Sequence, residues 1–230
     1  VIEQEHDLVA SAPPASYDAL EVKANYYAMI MLIDDQFKRI IDTLRDTRQL
    51  DNTIIVYMSD HGELLGDHGL ILKGCRFFEG LVHIPMIFSW PDRFQRNLQS
   101  DALVESVDVA PTLLEAAGLK PAPGSTLDGR SLIPLFEQKP GFDRDAIFFH
   151  YPNYAFHKKN RLGSALRAGD FKLITYYDNG EFELYRLSSD IGEEVNLSQQ
   201  HPEIVRQLKD KLDAWLRQTD ARLPVRKATK

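Results

Sequence analysis

Between positions 59 and 73 the chain reads SDHGELLGDHGLILK, and three side chains in it are of types that hold ions: the adjacent Asp60 and His61, and Lys73 twelve residues beyond the histidine. A carboxylate is a hard oxygen ligand suited to calcium or magnesium, and an imidazole beside it also admits manganese or zinc. The pair directly follows an apolar run at 53–58 (TIIVYM) that opens after the turn residues Asp51 and Asn52 and predicts a buried strand. In open α/β sheets, ligands collect in the crevice outside strand ends, so Asp60 and His61 are expected there as metal ligands. Two neighbours do not complete a coordination shell. At least two further ligands must come from elsewhere, and no second Asp-rich cluster nominates them.

Lys73 stands between Leu70-Ile71-Leu72 and Gly74. An ammonium in apolar surroundings needs an anion, and a sulfate or phosphate oxygen near the metal would serve. His68 lies seven residues after His61 across a glycine-containing loop, so no helical or strand geometry ties the two together; loop packing or substrate contact is its expected role. Cys75 has no base fixed beside it and reads as a small buried apolar residue rather than a nucleophile.

The elements that must position these groups are legible in periodicity. From about Leu20, Tyr26, Met29, Ile30, Ile33, Phe37, Ile40, Ile41 and Leu44 recur at threes and fours, predicting one face of a long helix that ends near Arg48. A second apolar run at 84–90 (IPMIFSW) predicts another strand, closed by Pro91. Residues 108–119 read as a helix with an early proline and a stop at Gly118, and 132–136 as a short helical turn. Helix followed by strand, twice over, indicates α/β layering. Beyond about Pro140 the pattern changes to short β-rich runs at 146–150, 164–167, 171–177 and 182–187, with Asp178-Asn179-Gly180 as a hairpin turn. A last helix over 202–218 sets Val205, Leu208, Leu212, Trp215 and Leu216 on one face. The expected division is therefore an α/β portion over 1–140 and a small antiparallel-sheet-and-helix subdomain over 141–230.

Composition narrows the function classes. The 230 residues are 43% apolar and 27% charged, enough for a substantial core. A net charge of −7 argues against a nucleic-acid groove. The single cysteine excludes an internal disulfide and a multi-cysteine zinc knuckle. No stretch approaches the length of a membrane span, and the first ten residues lack the pattern of a signal peptide. The chain begins at Val1 without an initiator methionine, which is expected of a processed or truncated piece.

SDHGELLGDHGLILKG, then FFEGLVHIPMIFSWP, VESVDVAPTLLEAAGL and LDGRSLIPLF, resemble the C-terminal half of the sulfatase family, in the alkaline phosphatase superfamily. ALRAGDFKLITYY and FELYRLSSDIGEEVNLS resemble that family's small C-terminal subdomain. The matching segments run in the family's order from about residue 25 to residue 220. The resemblance implies an alkaline-phosphatase-like layered sheet with flanking helices. It implies that Asp60 and His61 are the second pair of ligands to a calcium ion, with manganese or magnesium as alternatives, and that Lys73 contacts and neutralises the sulfate group. In the family the nucleophile is a formylglycine made from the cysteine or serine of a CxPxR-type motif. Its hydrate oxygen attacks sulfur, the alcohol leaves, and sulfate is expelled as the aldehyde re-forms.

No CxPxR stands in these residues, since Cys75 is followed by Arg76-Phe77-Phe78. The family's first pair of aspartate ligands and the histidine and lysine that flank the leaving group are missing too. The chain thus matches half an active site. Its expected partner is the N-terminal half, covalent or as a separate chain, and alone it should be catalytically silent. His150, with Tyr151, Pro152, Asn153, Tyr154 and the basic stretch through His157, Lys158, Lys159 and Arg161, is a candidate contact for a sulfated small molecule or glycan. Asp108 and Asp190 read as capping residues rather than ligands. Two other readings stay open: a phosphodiesterase or phosphonate monoester hydrolase of the same superfamily, and a noncatalytic domain that binds sulfated glycans. Family habit implies an exported, periplasmic or lysosomal protein.

Overall fold

The computed structural model describes residues 11–74, 76–152 and 161–225. Cys75 and most of the candidate substrate stretch, residues 153–160, lie outside the described residues. Contacts group the chain into two compact units, one drawn from 1–23, 61–84 and 146–230 and the other from 24–60 and 85–145. This grouping is not a single cut near residue 140: the segment with His61 and Lys73 belongs with the C-terminal region, while Asp60 belongs to the other unit.

The unit of 24–60 and 85–145 contains most of helix α1, Ala19–Asp46. Asp18 starts the helix, its carboxylate accepting the backbone N–H of Leu20 at 2.9 Å and of Glu21 at 3.1 Å. Arg48 ends it in a left-handed conformation (φ 57), where its N–H and that of Gln49 cap the carbonyls of Arg45 and Leu44. Phe37 meets Tyr57 edge to face at 5.3 Å, which seats α1 on strand β1, Ile55–Met58. Strand β1 pairs antiparallel with β2, Met86–Ser89, so the two apolar runs of the sequence are neighbours in one ribbon. The expected apolar face of α1 is nevertheless largely uncovered: no residue of the helix is buried, and Met29, Ile33 and Ile40 are each more than half exposed. Its hydrophobic period was read correctly, but the surface that would cover it is not supplied by the described residues.

Helix α2, Glu79–Val82, belongs to the other unit. Helix α3, Val109–Ala116, follows a tight turn at Ser106–Asp108 and stops at Gly118, whose positive φ of 67 lets the Leu119 N–H reach back to Leu114. Helix α4, Ile133–Phe136, packs its Phe136 ring against Phe88 and Phe94.

Asp108 organises this region as a cap, as its position implied. Its carboxylate is fully buried and forks onto the Arg144 guanidinium at 2.6 and 2.7 Å, while accepting the N–H groups of Glu105 and Arg130. Burial by itself would raise this carboxyl, but the Arg144 bonds and the two backbone donors outweigh it and hold it below its ordinary value of 3.8. The stabilisation is therefore present above the unfolded carboxyl's range and is lost as acid takes the pH through the lower folded value. Asp108→Asn is expected to lower stability at neutral pH by about 3–5 kcal/mol, because it strands a buried guanidinium. Urea unfolding of the variant at pH 7 and pH 3 checks this, and the difference from the parent should shrink toward the acid end.

The remaining unit is built on an antiparallel meander: β3, Ile147–Tyr151; β4, Gly163–Ala168; β5, Phe171–Tyr176; and β6, Phe182–Arg186. The Asp178-Asn179-Gly180 turn precedes β6 as read, with Gly180 at φ 74. Asp190 caps the following turn through the N–H groups of Glu194 and Val195. Helix α5, Pro202–Gln218, lays Leu208, Leu212 and Leu216 on one face of the sheet against Leu166, Leu173 and Leu184. The opposite face is also covered. Leu64, Leu70, Phe77, Phe78 and Leu81 pack there against Ala165, Ile174, Tyr176 and Tyr185. Strand alternation sorts β5 accordingly, with Leu173 toward the helix and Ile174 and Tyr176 toward the 64–81 segment. Among the described residues no helix is long and apolar enough to cross a membrane.

Candidate functional site

The segment that covers the second face of the meander is the one that carries His61, His68 and Lys73. It is closed as a loop at its base, where the Gly62 N–H bonds the Leu81 carbonyl at 2.8 Å. Inside, Leu64 N–H bonds Leu72 O and Gly66 N–H bonds Leu70 O, so residues 64–72 double back on themselves. Leu65, His68 and Leu72 all hold positive φ, at 49, 55 and 68. Left-handed backbone at side-chain-bearing residues persists only where the surroundings impose it, here through buried Leu64, Leu70, Phe77 and Phe78.

Lys73 is half-buried, and its ammonium lies 3.0 Å from Nε2 of His61. On the other side of that ring, Nδ1 is 2.8 Å from the Gly62 carbonyl. A carbonyl only accepts and an ammonium only donates, so both contacts are satisfied by the neutral imidazole with its proton on Nδ1 and its lone pair on Nε2. Metal-ligating histidines are commonly oriented in this manner, with the non-ligating nitrogen donating to a carbonyl or carboxylate. His61 therefore fits a cation through Nε2, and the carboxylate of Asp60, immediately before it, fits the same class of ion. Among the described residues no group of three or more His, Cys, Asp or Glu side chains is placed to hold a metal ion.

His68 is exposed as a residue but lays its ring flat on Phe78, with centroids 3.6 Å apart and planes at 10°. Burial of the ring pushes its imidazole below the ordinary histidine value, with Asp67 opposing. Its ring is thus engaged in packing on the buried Phe78. His150 is engaged within its own unit: Nδ1 lies 2.7 Å from the buried Ser164 hydroxyl, and Nε2 donates to the Arg222 carbonyl at 2.9 Å. Tyr177 completes that cluster at 2.5 Å from the Ser164 oxygen. Both ring nitrogens of His150 thus have intramolecular partners, and a ligand would have to displace one of them. The strand position was legible; the long-range partner at Arg222 was not. A cavity of roughly 820 Å³, lined by Phe88, Trp90, Phe94 and Phe136, includes none of Asp60, His61, His68, Lys73 or His150.

The residue that inspection of the sequence overlooked is Gly62. A Cβ there would sit 1.9 Å from the Gly80 carbonyl oxygen and 2.9 Å from its carbon, both backbone atoms that cannot step aside. The signal available was a glycine directly after Asp60-His61, where close backbone approach is one of the reasons for glycine. Gly62→Ala is expected to open the base of the loop, costing about 1–3 kcal/mol as overpacking does. In the complete protein it should also reduce any activity that depends on Lys73. Gly192→Ala, where an added Cβ meets only the Glu194 side chain at 3.6 Å or beyond, is the control. Equal urea midpoints for the two variants would contradict this account of Gly62.

The chain is similar to proteins of known family. A family model described as "N-sulphoglucosamine sulphohydrolase, C-terminal" matches residues 66–218, and one described as "Sulfatase" matches residues 3–119. An N-acetylglucosamine-6-O-sulfatase of Bacteroides thetaiotaomicron is 35% identical over 178 residues, covering 75% of this chain and 31% of the relative. A protein solved in complex with its substrate D-glucosamine-2-N,6-O-disulfate superposes with a TM-score of 0.76 at 31% identity, over 85% of this chain and 40% of that one. The phosphonate monoester hydrolase of Agrobacterium radiobacter superposes with a TM-score of 0.75 at 30% identity, over 87% of this chain and 42% of that one. The chain thus spans well under half the length of these proteins, and its α/β fold is that of the C-terminal part of alkaline-phosphatase-like sulfatases. By both family models and by these relatives, the chain belongs to the sulfatase family.

Proposed function

We propose that this chain is the C-terminal part of a sulfuric ester hydrolase and that it supplies the cation and sulfate contacts of the site. The observation that carries this reading is the pairing of the Lys73 ammonium with Nε2 of His61 at the base of a closed loop. Asp60 and His61 would hold a metal ion, calcium first, with manganese or magnesium as alternatives. Bound there, the ion would supply positive charge to oxygens of the sulfate group. The lone pair on Nε2 cannot serve a cation and Lys73 together. With that lone pair engaged, the ammonium of Lys73 would have its donors available for an anionic oxygen, which is the contact a sulfate ester offers. His68 lies on the same loop as a neutral ring suited to the sugar or aryl part of the ester, and His150 is a more distant candidate for that role.

None of these groups is a nucleophile, so the reading requires a second polypeptide segment bearing the formylglycine. The uncovered apolar residues of α1 support the existence of such a segment, since exposed apolar surface of this extent is normally covered by another part of a fold or a partner. The 31% identity to the protein solved with a disulfated glucosamine favours a sulfated amino sugar or related glycan as the substrate class. A phosphonate or phosphate ester is the second reading, favoured by the comparable likeness to the phosphonate monoester hydrolase.

The test is to assay the complete protein on 4-nitrophenyl sulfate, glucosamine 6-sulfate and a phenyl phosphonate monoester, alongside the 230-residue chain alone. Sulfate esters should be turned over by the complete protein and by it only. Preference for the phosphonate would establish the second reading, and turnover by the short chain alone would overturn the requirement for another segment.

A further inference from the structure

Three charged side chains lie sealed between the meander and the loop. Lys172 on β5 is fully buried, and its ammonium is 2.9 Å from Oε1 of Glu79 and 2.9 Å from Oε1 of Glu193. Glu79 is 7% exposed and Glu193 is 2% exposed. The second oxygen of Glu193 accepts the backbone N–H of Glu79 at 2.6 Å, gripping the start of helix α2 as well as the ammonium. Glu193 itself stands at φ 54, in the left-handed region. The other oxygen of Glu79 faces Arg167 at 3.6 Å and His83 at 3.1 Å.

Such a cluster is a poor means of raising stability. Removing three charges from water is costly, and an apolar trio of similar volume often serves a core at least as well. A buried ion cluster can instead favour one geometry, because a buried charge separated from its partner is costly. The geometry it defines here is the seat of the loop. Lys172 faces the loop side of β5, in the row of Ile174 and Tyr176. Glu79 is six residues beyond Lys73, immediately after the buried pair Phe77 and Phe78. On its other side Lys73 follows Leu72, whose carbonyl is held by Leu64 N–H. The lysine therefore rides on a short span between two fixed points, and the triad is the electrostatic part of the second.

We infer that Glu79, Lys172 and Glu193 are positioning residues that fix the Lys73 loop to the C-terminal sheet, so that this sheet acts as the platform for the sulfate-contacting lysine. The inference rests on the role proposed above for Lys73.

The experiment is a double-mutant cycle in the complete protein, read as kcat/KM on 4-nitrophenyl sulfate. Glu79→Gln/Lys172→Met/Glu193→Gln keeps volume and removes the three buried charges together, leaving Arg167, which is 26% exposed, to solvent. In the parent, Lys73→Ala should cost about 100-fold, the scale of one lost oxyanion contact. In the triple variant the same replacement should cost less than about 5-fold, because contacts that share a positioning unit are not additive. Glu193→Gln alone, which keeps an acceptor for the Glu79 N–H, is the milder second background if the triple variant does not fold; there the cost should be intermediate. A folded variant in which Lys73→Ala costs the same factor as in the parent would overturn the positioning role and leave the function of Lys73 standing. If Lys73→Ala has no effect in the parent, the proposed sulfate contact falls and this inference falls with it.

Discussion

Asp60→Ala in the complete protein should reduce sulfate ester hydrolysis by at least about 10³-fold, the scale on which charge stabilisation at a reacting centre acts. The residue follows β1 by two positions and is exposed. Exposed side chains away from caps and cores usually change stability by less than about 0.5 kcal/mol when replaced. Urea unfolding of the variant beside the parent separates any loss of stability from the loss of activity. A carboxylate contributes a full negative charge to a hard cation's shell, and removing it weakens the site by both a ligand and a charge. Asp60→Asn keeps the oxygen and loses the charge, so it should fall between the parent and the alanine variant. Isothermal titration with calcium and manganese, beside kcat/KM on 4-nitrophenyl sulfate, separates the two contributions. Activity retained by Asp60→Ala with unchanged ion affinity would remove Asp60 from the site.

The parts of this molecule that could be read from its sequence are those whose pattern is local. The long helix was legible because its apolar residues recur at threes and fours, and Pro202–Gln218 because its apolar face recurs in the same way. The meander was legible from alternation and the Asp178-Asn179-Gly180 turn. What was not legible depends on contacts between distant positions. Lys172 occupies an ordinary polar place in a strand pattern, yet it is sealed by Glu79, 93 residues away, and by Glu193. The covering of the sheet's second face by residues 64–81 has the same character, since its apolar residues follow no single period. His150 was read as a candidate ligand contact, and nothing near it in sequence announces Ser164 or Arg222. At the candidate site, residue types announced Asp60, His61 and Lys73, whereas the pairing of Lys73 with His61 required the loop to close at Gly62.

That pairing makes Lys73→Ala informative in two measurements at once. In the role proposed for it Lys73 offers its ammonium to an anion, and its loss should lower kcat/KM on 4-nitrophenyl sulfate by about 10²–10³-fold. Lys73→Arg keeps the charge but replaces a compact ammonium with a broad planar fork, so recovery should be partial. The second measurement is made without substrate. Lys73 donates to the same Nε2 lone pair that would ligate a cation, and the two uses exclude each other. Removing the lysine takes away both a competitor for the lone pair and a like charge near the ion, so calcium affinity should rise by about 5- to 10-fold even as activity falls. A residue that merely stabilises the loop would move both readouts downward. Opposite movement, weaker catalysis with tighter ion binding, is the signature expected of a lysine that exchanges between the histidine and the sulfate, and parallel loss of both would assign Lys73 to structure instead.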